Sequence, residues 1–134
     1  MNQIPVNVSA KFKSATARAT IRPGSGEIRI NSQPLENFGT ALCRARIDEV
    51  LRLAKDVLKK VRIDVRVEGG GISGQTNAIR TSIARGLIQW TSDPELRQKF
   101  LEYDRSIVKG DVRVKEAKKP GRRRARAKPQ KSYR

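Results

Sequence analysis

After Glu116 the chain carries no acidic residue and no bulky aliphatic one, and Tyr133 is the only aromatic there. A segment of that composition cannot bury enough apolar surface to offset the entropy lost on ordering it. Any core must therefore be built upstream. Residues 1–108 hold 18 basic and 11 acidic side chains, a net +7, whereas residues 109–134 hold 12 and 2, a net +10. The charge divides the chain into a globular body, residues 1–108, and a basic tail, residues 109–134. The body is long enough for one domain with a real core. The tail is expected to be extended, and disordered when the protein is free.

Within the body, Ala15, Ala17, Ala19 and Ile21 alternate with Thr16, Arg18, Thr20 and Arg22. A period of two predicts a strand with one buried and one polar face. The small alanines imply that something packs close to that strand. Pro23 to Gly26 reads as a turn, and Glu27 to Ile30 alternates again, so the pair is expected to form a hairpin that Asn31 to Pro34 closes. Ile47, Val50, Leu51, Ala54, Val57 and Leu58 recur at helical spacing. Val61, Ile63, Val65 and Val67 return to strand spacing. Ile79, Ile83, Leu87 and Trp90 mark a second helix over residues 77–90. Ser92-Asp93-Pro94-Glu95 reads as the start of a third, with Asp93 or Ser92 as cap, Pro94 in the first turn, and Leu96, Phe100 and Tyr103 facing inward. The order predicts an α+β fold: a small two-layer sandwich of a mainly antiparallel sheet with helices on one face. There is no internal repeat.

The whole chain has 30 Lys and Arg, 13 Asp and Glu and no His, a net +17. A compact chain with such a charge usually meets a polyanion, nucleic acid first and an anionic membrane surface second. No apolar run approaches the roughly 20 residues of a spanning helix. Met1 to Pro5 has no basic patch followed by an apolar run, so it does not read as a secretory signal. Cys43 is the only cysteine, and with no His to activate it, it is expected to be a small buried residue. No catalytic set, metal-ligand cluster or cofactor motif emerges, so no enzyme is expected.

One segment tests that expectation. Gly69 to Thr76 matches the nucleotide-binding pattern of Gly, four residues, Gly, Lys, Ser or Thr at every position except the lysine, which is Gln75. An amide does not replace the ammonium that reaches the terminal phosphates. The alternating strand before it also differs from the doubly buried strand that precedes such loops. Two readings remain for the glycines. Their backbone N–H groups, at the positive end of a helix, suit a phosphate of an RNA backbone. Alternatively they only turn the chain tightly and let the helix pack close.

Taken in order, the segments resemble one family. They are Ala15-Thr16-Ala17-Arg18-Ala19, Pro23-Gly24-Ser25-Gly26, Ile28-Arg29-Ile30-Asn31 and Pro34-Leu35, then Gly69-Gly70-Gly71-Ile72-Ser73-Gly74-Gln75 and Ala78-Ile79-Arg80-Thr81-Ser82-Ile83-Ala84-Arg85. Asp111-Val112-Arg113, Lys118-Lys119-Pro120-Gly121 and Gln130-Lys131-Ser132-Tyr133-Arg134 complete the set. The chain resembles the universal small-subunit ribosomal protein S-nine family, and its Tyr-Arg ending resembles the archaeal and eukaryotic branch. The resemblance implies a body like the second domain of ribosomal S-five, with a left-handed crossover. It implies a cytoplasmic protein in the head of the small ribosomal subunit, beside neighbouring small-subunit proteins and away from membranes. There the body packs on the 3′-major domain of the rRNA, and the tail threads toward the anticodon stem of peptidyl-site tRNA. The tail of this chain is more basic in its middle, Arg122 to Pro129, than that branch usually is.

The expected rRNA contacts follow from charge and resemblance together. In the body they are Lys11 and Lys13 around Phe12, Arg18, the loop residues Gly70, Gly71, Ser73, Gly74 and Gln75, and Arg80 and Arg85 on the outer side of the second helix. In the tail they are Arg113, Lys118, Lys119, Arg122, Arg123, Arg124, Arg126 and Lys128. An arginine holds a phosphate through two parallel N–H bonds, which a lysine does not. Lys131, Ser132, Tyr133 and Arg134 are the expected tRNA contacts. The rival functions are a nucleotide-handling enzyme built on Gly69 to Thr76 and a free basic RNA chaperone.

Overall fold

The computed structural model describes residues 4–128 and 131. Five strands form one sheet: β1 Val6–Phe12, β2 Ala15–Pro23, β3 Ile28–Ile30, β4 Gln33–Pro34 and β5 Val61–Glu68. Their spatial order is β1-β2-β5-β3-β4, and every pairing is antiparallel except β3 with β5. The helices are α1 Ala41–Leu53, α2 Lys55–Leu58, α3 Ile72–Thr91, α4 Pro94–Tyr103 and α5 Ser106–Lys109, and a 3-10 turn covers Leu35–Asn37. The mixed α+β class and the mainly antiparallel sheet agree with the alternation and helical spacing of the sequence.

The expected hairpin between the second and third strands does not form. β5 inserts between them, running antiparallel to β2 and parallel to β3. The turn Pro23 to Gly26 instead carries the chain across the start of β5. The Gly24 N–H donates to the Lys60 carbonyl at 3.1 Å, and the Gly26 N–H donates to that of Val61 at 2.8 Å. Period two reports which face a residue takes and says nothing about which strand lies beside it. The true partner of β2 on its other edge is β1, joined to it through Lys13 and Ser14. β1 alternates as well, but the two residues that turn it lack the usual Gly or Asn signal.

Asn31 and Ser32 make the tight turn from β3 to β4, both with positive φ (50° and 66°). The Asn31 side chain also extends the ladder past the end of β3. Its Oδ1 accepts from the Val67 N–H at 2.9 Å, and its Nδ2 donates to the Val67 carbonyl at 3.3 Å. The expected first helix is two, because Ala54 leaves helical geometry (φ −111°, ψ 26°). Thr40 caps α1 by accepting from the Cys43 N–H at 3.4 Å, and Cys43 is buried as expected. Asp93 caps α4 by accepting from the Glu95 N–H at 2.9 Å, with Pro94 in the first turn. Leu96 and Phe100 are core, but Tyr103 is 54% exposed, so its expected inward placement is corrected. It is the last residue of α4.

The core lies between the sheet and α3. Ala15, Ala17, Ala19, Ile21, Val61, Ile63, Val65 and Val67 are all buried. The alanine row of β2 is where α3 packs closest. Gly74 lies over Ala15, and a Cβ placed on Gly86 would stand 2.4 Å from Ile21 Cδ1. Twelve helical residues rise about 18 Å and six strand residues about 20 Å, so α3 follows β2 along its length. On its far side α3 meets α1, α4 and α5. From Ala78 to Ala84 every residue of α3 is buried.

Candidate nucleic-acid interface

That second layer decides the fate of two expected contacts. α3 has no solvent-facing outer side in its middle, so Arg80 and Arg85 do not stand where the helical spacing put them. Arg80 Nη2 lies 3.1 Å from Glu49 Oε2 on α1 and 3.3 Å from Asp104 Oδ2 after α4, and its side chain is 11% exposed. Burial opposes the ionised form of Asp104, but hydrogen bonds from Ser106 and the Arg80 charge outweigh it, so its pKa is lowered. Arg85 is a clasp. It donates to the carbonyls of Val108 and Lys109, both at 2.7 Å, and of Ser9 at 3.4 Å. Arg80 is occupied inside the body and the half-buried Arg85 at its edge, because the carbonyls and carboxylates that end α4 and α5 need donors.

The Arg85 clasp fixes where the tail leaves the body. Just beyond it the Lys13 N–H donates to the Asp111 carbonyl at 2.7 Å, and the Asp111 N–H donates to that of Lys11 at 3.2 Å. Arg113 folds back on Asp111 with contacts of 2.7, 3.0 and 3.1 Å. Those bonds from the Arg113 side chain and N–H hold the Asp111 carboxyl down to about 2, and the carboxylate in turn raises the pKa of Arg113. The Arg113 side chain is still 80% exposed. A groove of about 470 Å³ lined by Lys13, Ser14, Arg113, Val114 and Lys115 opens here.

The glycine loop borders the same end. Gly69 and Gly70 have positive φ (78° and 63°), and a Cβ on Gly69 would stand 2.6 Å from the Ser14 carbonyl oxygen. Tight turning and close packing therefore account for these two glycines. Gly71 is different: it caps α3 with ordinary φ, and open space surrounds it. Ser73, Gly74 and Gln75 are not loop residues but the first turn of α3, which starts five residues earlier than the apolar spacing indicated. No side chain caps the N–H groups of that turn. Gln75 reaches back instead, donating from Nε2 to the Gly69 carbonyl at 3.1 Å. Lys13, Gly70, Gly71, Ser73, Gly74, Gln75 and Arg113 thus collect at one end of the body, with uncapped N–H donors and cations.

Lys11 and Arg18 belong to a second surface, the sheet face opposite the helices. The register sets Arg18 directly across from Arg66, and Arg22 across from Arg62. A concavity of about 600 Å³ lies there, lined by Arg18, Arg29, Arg62 and Arg66 with Asp64, Asn7, Ser9, Thr20, Asn31 and Ser32, and by the apolar Val8, Ala19 and Val65. Arg18 pairs with Glu68 at 3.5 Å and Arg29 with Glu27 at 2.7 Å. Arg62 lies 3.6 Å from Glu27 and 3.4 Å from Asp64, yet its buried Nε has no aligned hydrogen-bond partner. Sequence reasoning missed Arg29, Arg62 and Arg66. Alternation placed the last two on a polar face, but only the register set them opposite other arginines.

In the tail, Glu116 pairs with Arg126 at 2.9 Å and with Lys119 at 3.4 Å, both exposed. Such pairs contribute little and leave the cations available. Arg122, Arg123, Arg124, Lys118 and Lys128 have no ion-pair partner among the described residues. Lys131 is exposed. The expected tRNA contacts Ser132, Tyr133 and Arg134 lie outside the described residues. Among the described residues no helix is long and apolar enough to cross a membrane, and no group of three His, Cys, Asp or Glu gathers as a metal site.

The family model described as Ribosomal protein S9/S16 matches residues 10–134. Among curated proteins the chain is similar to the small ribosomal subunit protein uS9 of Methanothrix thermoacetophila, with 49% identity over 129 residues. Identity to the protein of the same name is 46% in Thermoplasma volcanium and 49% in Halobacterium salinarum. Each alignment covers 96% of this chain and 98% of the relative.

Proposed function

The chain belongs to the Ribosomal protein S9/S16 family, and from that premise we propose that it is a structural constituent of the cytoplasmic small ribosomal subunit. Its body binds rRNA of the subunit head among neighbouring small-subunit proteins. Its tail threads between rRNA helices, and Lys131 to Arg134 contact the anticodon stem of peptidyl-site tRNA. One observation carries the reading. The tail, which carries no acid beyond Glu116, leaves the body at the end where Lys13, Arg113 and the uncapped first turn of α3 already gather. Phosphates entering there meet fixed backbone donors first and a run of exposed guanidinium groups beyond them.

The family is one of ribosomal proteins rather than enzymes. The nucleotide-enzyme alternative also loses its remaining feature, since Gln75 turns back on its own loop instead of reaching outward. Co-sedimentation of the tagged full chain with small subunits tests the reading against a free RNA chaperone, which would stay at the top of the gradient. If the tail neutralises about six phosphates, deleting residues 117–134 should flatten a log affinity against log salt slope by roughly 4 to 5. Removing residues 131–134 should speed tRNA dissociation from subunits at equal occupancy of the protein. Equal dissociation rates would confine the tail to rRNA.

A further inference from the structure

One carboxylate stands where a phosphate-binding surface gains nothing from it. Asp111 lies at the tail root, beside Lys13 and the groove that Arg113 and Lys115 line. An acid there repels a phosphate. Its side chain is 12% exposed. It accepts from the Arg113 N–H at 3.0 Å and from the Arg113 guanidinium at 2.7, 3.0 and 3.1 Å. A guanidinium gripped by both oxygens of a carboxylate is fixed in orientation. The pairs of Glu116 differ, since both partners there are open to solvent. No apolar burial holds the segment, because Val112 and Val114 are 78% and 71% exposed. The backbone is anchored as far as Asp111. Arg85 holds the carbonyls of Val108 and Lys109, Gly110 turns with a φ of 71°, and Asp111 bridges Lys11 and Lys13. Beyond Asp111, among the described residues, the chain makes no further hydrogen bond to the body, and only the turn of Arg113 onto Asp111 sets the direction in which it leaves. Arg113 so held is one wall of the 470 Å³ groove.

We propose that Asp111 and Arg113 are positioning residues: they bind each other rather than RNA, and they aim the tail before it meets the subunit. The inference rests on the rRNA-binding reading and gives Arg113 a part in it other than phosphate ligand. A segment already ordered in the free protein loses no freedom when it binds. Ordering the backbone of a single residue lowers affinity by roughly fivefold to tenfold. The phosphates are left to Lys13, the first turn of α3 and the cations of the tail from Lys115 onward. The acid at the root and the folded-back arginine then have one explanation.

The test measures binding of the full chain to a small-subunit rRNA transcript over a range of salt. Charge alone and positioning differ in sign for Asp111→Ala. Loss of an acid would tighten binding if only charge counted, whereas loss of the aim weakens it. The expected result is an affinity lower by roughly fivefold to tenfold in Asp111→Ala and in Arg113→Gln, with no further loss when the two are combined. Neither side chain holds a phosphate, so the slope of log affinity against log salt should stay that of the unmodified chain. Lys118→Gln, which removes a tail cation, should lower that slope by about 1. Arg113→Lys keeps the charge but not the fork that spans both carboxylate oxygens, so it should lose as much as Arg113→Gln. Asp111→Asn keeps an acceptor for the Arg113 N–H and should fall between Asp111→Ala and the unmodified chain. The body should melt as before, since the backbone bridge to Lys11 and Lys13 needs no side chain. Tighter binding by Asp111→Ala would overturn the proposal, as would a slope lowered by about 1 in Arg113→Gln. A melting temperature that falls together with the affinity would make the pair structural and overturn it too. Failure of the underlying reading looks different: the unmodified chain would not sediment with small subunits at all.

Discussion

Replacing Arg80 and replacing its partners should have unequal costs, although both break the same ion pairs. Removing one partner of a buried pair typically costs about 3–5 kcal/mol, because the survivor is left charged and dry. In Arg80→Met the survivors are Glu49 and Asp104, whose side chains are 37% and 40% exposed. They rehydrate, and Met keeps most of the packing of the arginine stem. The expected loss is about 1 kcal/mol. In Glu49→Gln/Asp104→Asn the survivor is Arg80, 11% exposed, with an Nε that already lacks a partner. That loss should approach about 3 kcal/mol. Urea unfolding followed by circular dichroism reads both. With a slope of about 2 kcal/mol/M, the midpoint should fall by about 0.5 M in the first variant and about 1.5 M in the second. Equal shifts, or a larger one for Arg80→Met, would refute the reasoning. Acid adds a check of sign. The pKa of Asp104 is depressed in the folded state, so its contribution is present above the ordinary carboxylate range and lost as pH falls through the folded value. Ser106 supplies more of that depression than Arg80 does, so Arg80→Met should keep most of this acid sensitivity.

Gly86→Ala should destabilise the body by about 1–3 kcal/mol, because the new methyl meets buried Ile21. Combined with Ile21→Val, which removes the clashing Cδ1, the loss should be less than the sum of the two single losses in a thermal double-mutant cycle. Gly71→Ala should leave the melting temperature unchanged, since open space surrounds that position, while Gly69→Ala, with its Cβ against the Ser14 carbonyl, should lower it. An NMR titration of the Asp111 carboxyl should give an inflection near 2, and Arg113→Gln should move it back up toward 3.8. The Asp111 contribution to holding the tail root is therefore intact above about pH 4 and lost between there and pH 2. Arg85→Lys cannot reach the carbonyls of Ser9, Val108 and Lys109 together, so limited proteolysis should cut near Lys109 faster than in the unmodified chain.

Three features were legible in the chain before any tertiary structure. The composition after Glu116 separates a charged segment from a core-forming one, because burial energy depends on side chains that segment lacks. Period two in residues 15–22 and 61–68 assigned faces, since successive side chains on a strand point opposite ways regardless of neighbours. The alanine row of β2 announced a close neighbour without saying which, and α3 is that neighbour, with Gly86 against Ile21. Neighbours were decided only by the fold. β5 separates β2 from β3 because backbone hydrogen bonds are the same at every residue and carry no sequence label; order comes from which arrangement buries both apolar faces at once. That order alone set Arg66 across from Arg18 and made a concavity from residues far apart in the chain. Arg80 and Arg85 show the same limit from the other side. Helical spacing read both as solvent-facing, but α1 and the ends of α4 and α5 cover that side of α3, so Arg80 became an internal ion-pair partner and Arg85 a ligand of the Val108, Lys109 and Ser9 carbonyls at the body's edge.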